Sequence, residues 1–162
     1  MHPLGLAARI VVAVALLVAL AMSFVPSFLV FSVDFEGLDA GGISTGASAW
    51  HRSGTLGGLA IVAGLPLAIV ASALPTRVSV ARRVLAAVAG GACVAGAFFF
   101  KLYLVSTAND LPSGLDDVPL RFGWSGYVTL AALAVGAAAG VVAAVLSDPP
   151  PASSASPPPP WA

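Results

Sequence analysis

Residues 75–83 read PTRVSVARR. This is the one compact basic run between long apolar segments, with Arg77, Arg82 and Arg83 close together in it. In a membrane protein a short basic loop belongs on the cytoplasmic side. Once it is assigned there, every other segment takes a side.

Composition gives the class. The chain has 162 residues, of which 59% are hydrophobic and 9% charged. A soluble domain carries about a quarter charged residues, and apolar surface on this scale aggregates in water. The reading is therefore an all-α integral membrane protein: a four-transmembrane-helix bundle with two outer loops and a disordered, Pro-rich C-terminal tail. Seven basic residues balance seven acidic ones, so there is no electrostatic footprint for nucleic acid. Cys93 is the sole cysteine. It lies in an apolar run, excludes an intramolecular disulfide, and reads as a small buried hydrophobe.

Working outward from the basic loop, the transmembrane domain covers residues 1–147, with spans at about 10–30, 53–74, 84–105 and 122–146. Residues 148–162 form the cytoplasmic tail. The interval from Ile10 to Val33 is free of charge and long enough to cross a hydrocarbon core of about 30 Å. Pro26 predicts a kink in the last third of span one, and Pro66 a second kink in span two. Ala19-Leu20-Ala21 has the small-x-small form of a signal-cleavage site. The apolar run continues beyond it to Phe31, so the first helix is read as retained. The first outer loop, 31–52, opens with a β-branched and aromatic stretch suited to an extended segment. It then turns glycine-rich. The second outer loop is 106–121. The tail, with prolines at 149–151 and 157–160, favours polyproline II or disorder.

Small residues four apart share a helix face and let another backbone come close. Gly54 and Gly58 form such a pair, and Gly64 continues a second stripe. Ala132, Gly136, Gly140 and Ala144 make the longest one. These are the helix-packing candidates, for contacts within the bundle or with a partner.

Interfacial or partner-contact candidates are Trp50, His51, Lys101 and Trp124. Trp50, Tyr103, Trp124 and Tyr127 fall near the expected outer boundary, where amphipathic rings gather. Lys101 is the only charge within a predicted span. It is close enough to the outer end to reach the headgroups along its own stem, or to pair with an outer-loop carboxylate. The midmembrane is otherwise free of ionisable groups, which excludes a proton- or ion-coupled pump. His2 and His51 fall on opposite sides of this topology, so one chain has no bis-histidine heme site. Asp34, Glu36, Asp39, Asp110, Asp116 and Asp117 match no calcium-loop spacing and read as solvated charges. No catalytic residue, cofactor or metal is assigned.

With a longer first outer loop and a shorter second, the layout resembles that of claudin-like and other four-span proteins. The first loop lacks their paired cysteines. The Ala/Val/Gly-heavy spans point to a high-GC bacterial genome. The expected function is a non-catalytic accessory or scaffold subunit of a larger inner-membrane complex. Its partners would be other integral membrane subunits and membrane lipids, with no nucleic acid. The alternative is small-molecule or lipid handling, as a transporter component or lipid-binding protein. Both termini are expected in the cytoplasm.

Overall fold

The computed structural model describes residues 3–33, 43–50, 54–75, 78–109 and 120–146. The elements in order are α1 (Pro3–Ser23), β1 (Leu29–Val33), β2 (Ile43–Ala47), α2 (Gly54–Ala73), α3 (Ser79–Asn109), β3 (Leu120–Phe122) and α4 (Trp124–Val145). All four helices are long and apolar enough to cross a membrane, and the chain is a multi-pass membrane protein. The tail, both loop centres and His51 lie outside the described residues.

The helices form a ring. Neighbouring pairs are α1–α2, α2–α3, α3–α4 and α4–α1, while α1 barely touches α3 across the middle. One end of the ring gathers Ala8, Ala71, Ala86 and Ala143 into a small buried cluster. It also holds Arg9 and Arg82, so we call it the arginine end. The other end carries the strands, and we call it the sheet end.

Side-chain sorting follows the solvent. Large apolar residues face outward, among them Val88, Val94, Phe98, Val135 and Val141. The buried positions of α3 include Ala86, Ala89, Gly90, Cys93 and Gly96. In water this arrangement would be inverted. In lipid, tails are as apolar as leucine, and close packing rather than hydrophobicity holds helices together.

Several expectations are corrected. Span one begins and ends about seven residues earlier than predicted. The Phe24 amide donates to the Ala21 carbonyl at 3.3 Å and the Val25 amide to that of Met22 at 3.2 Å, a tightening into three-residue turns that ends helices. The backbone before Pro26 is biased away from helix. Pro26 therefore lies in the turn after α1 and kinks nothing. Pro66 does lie inside α2. Span three is longer than expected. At 31 residues it runs about 46 Å, taking in both Arg82 and Arg83 from the basic stretch. Lys101 is thus not the only charge within a helix, since Arg9 and Arg82 are each only 4% exposed.

The chain is also not purely helical. A three-stranded antiparallel sheet in the order β2-β1-β3 sits at the sheet end. Leu29 pairs with Ala47 on one side and Phe122 on the other. The extended segment predicted near residues 30–35 corresponds to β1. β2 falls in a stretch read as flexible, and β3 at the predicted boundary of span four.

Phe28 locks the sheet to the helices. Its buried ring meets Phe100 of α3 edge-on at 4.9 Å and Phe122 at 5.8 Å. Its carbonyl accepts the Gly123 amide at 2.9 Å. The Ala49 amide donates to the Ser23 carbonyl at 3.0 Å, returning the first loop to the end of α1.

Candidate functional site

The predicted stripe on α4 divides between inside and outside. Gly140 and Gly90 bring the backbones of α4 and α3 into contact. A Cβ placed on Gly140 would lie 2.7 Å from the Gly90 Cα and 3.4 Å from the Ala86 carbonyl oxygen. Gly136 is wedged between two helices, where a Cβ would meet the Cys93 Sγ at 2.8 Å and the Ala15 Cβ at 3.1 Å. Ala132 and Ala144 are only partly buried. Ala132 turns to an open groove between α1 and α4, and Ala144 to another between α3 and α4.

On α2 the small residues make room for bulky neighbours. A Cβ on Gly64 would strike that of Ala92 on α3 at 2.6 Å, with Leu16 of α1 at 3.4 Å. Gly54 lies against the Ala49 carbonyl and the Tyr103 ring. Gly58 receives the Trp50 ring, which would be 2.8 Å from a Cβ there. Gly57 was not singled out from the sequence, yet the Phe100 ring would sit 2.5 Å from its Cβ. The signal was present, because Gly57 and Gly64 are seven apart and share a face.

Trp50 does not behave as a belt residue facing lipid. It stacks on Phe24 with centroids 5.0 Å apart and 14° between planes. Its Nε1–H donates to the Ser23 Oγ at 2.8 Å, and that hydroxyl donates to the Leu20 carbonyl at 2.6 Å. Tyr103 is likewise buried, at 3% exposure. Trp124 and Tyr127 are each 59% exposed at the start of α4, as an interfacial ring requires. Lys101 is exposed on α3. The six outer carboxylates considered as its partners lie outside the described residues.

At the arginine end, Arg9 comes from α1 and Arg82 and Arg83 from the start of α3. A Cβ on Gly5 would have the Leu146 carbonyl oxygen at 3.4 Å and the Arg9 Nη2 at 3.7 Å. Arg9 therefore holds its guanidinium near the C-terminal carbonyls of α4, where the helix dipole favours a cation. Arg82 and Arg83 sit at the opposite kind of end. They occupy an N-terminus whose first turn has no acidic residue, and where the dipole opposes positive charge.

Two apolar grooves open on the outside of the ring. One, of about 490 Å³, runs between α3 and α4 past Ala87, Gly91, Val94, Ala138, Val141 and Ala144. The other, of about 430 Å³, runs between α1 and α4 and is floored by Ala15, Ala131 and Ala132. Among the described residues, no three His, Cys, Asp or Glu side chains converge as a metal site would need. Compared with known proteins, the sequence matches no family model and no curated protein.

Proposed function

We propose that the protein is a non-catalytic accessory or scaffold subunit of a larger complex in a bacterial inner membrane. The observation that supports this is the α1–α4 groove. Ala15, Ala131 and Ala132 form a shallow floor, and Ile10, Val11, Val14, Val128 and Val135 form its walls. A floor of small residues lets a further transmembrane helix approach closely, and β-branched walls lose little rotamer freedom when covered. Gly136 and Gly140 do not contribute to this reading, because both are used inside the ring. The alternative is small-molecule or lipid handling, which a dedicated cavity between spans one and two would favour.

A photo-crosslinking side chain at Val135 tests the reading in native membranes. The expected product is a single discrete protein adduct, lost when Ala131→Leu fills the exposed floor. The same probe at Val88, outward on α3, should give lipid adducts. Lipid adducts alone at both positions would refute the scaffold.

We also propose that the arginine end is cytoplasmic, with both termini there, because Arg9, Arg82 and Arg83 concentrate at that end. In a Cys93→Ala background, single cysteines at Gly42 and Ser113 should react with an impermeant maleimide added to intact cells. A cysteine at Ser79 should react only after permeabilisation. The reverse pattern would invert the topology.

A further inference from the structure

We draw no further inference here: the strongest candidate, the mouth of the ring at the arginine end, where Arg82 stands on the buried face of α3 and its Nε has no hydrogen-bond partner among the described residues, rests on a helix N-terminus with nothing in the structure to show what meets it.

Discussion

Gly140→Leu will sharply lower the melting temperature of the detergent-solubilised monomer, and Val142→Leu will leave it nearly unchanged. The difference is geometric. Gly140 faces backbone, with the Gly90 Cα 2.7 Å from where a Cβ would stand. Backbone cannot rotate aside as a side chain can. Four added carbons must push α4 away from α3 along the whole contact, forfeiting the dispersion and Cα–H···O contacts that hold helices together in lipid. Overpacking a core ordinarily costs about 1–3 kcal/mol, and a displaced backbone places this change at or above the upper end. Val142 is 43% exposed, and an added methylene there replaces only lipid. The loss should appear in the monomer itself, whether or not a partner is present. Equal melting of the two variants would mean that α3 and α4 are not in contact at Gly90.

Gly123→Ala should be nearly as damaging, although it adds a single methyl group. Gly123 is the residue before α4, with φ −77° and ψ −179°, a conformation open to alanine. The obstacle is space. A Cβ there would collide with the Ser27 carbonyl oxygen and come within 2.7 Å of the Val30 Cγ2. To make room, the chain must break the hydrogen bond that the Gly123 N–H donates to the Phe28 carbonyl, which costs about 1 kcal/mol net and more if both groups stay buried. The displacement also withdraws Phe122 from its contact with Phe28. Gly91→Ala is the matched control. It adds the same methyl into open space inside a helix and should raise stability by about 0.5–1 kcal/mol. If Gly123→Ala melts no lower than the parent chain, the turn before α4 does not rest on Ser27.

The helices were legible because lipid imposes a length and a composition. Spans two and four came within about two residues, since charge or polar residues bracket each apolar run closely. Span one was misplaced because apolar sequence continues past the point where the helix stops. Hydropathy does not register the three-residue turns ahead of Pro26, nor that Phe28 and Leu29 are buried beneath a sheet rather than in lipid. Arg82 was read as part of a basic loop because an arginine near an apolar run ordinarily marks its end. The carbonyls at the end of α4, which offset Arg9, come from 137 residues further along the chain. The small-residue pattern located close contacts well but did not say with what. Gly136 and Gly140 meet the chain's own α1 and α3, and Gly58 meets a tryptophan. Which face of a helix is covered depends on the ring order, and repeats four residues apart carry no information on that.

The ring order also bears on how the chain is made. α1 emerges before α2, α3 and α4, yet α1 and α4 are neighbours, and β1 takes its second partner from the three residues just ahead of α4. Throughout synthesis of the first three helices, one flank of α1 and one edge of β1 are left open together. Both are covered in a single later step, when β3 and α4 enter. A ribosome stalled before residue 120 therefore leaves a product with an open seam on two levels. Entry of α4 and closure of the ring are the same event.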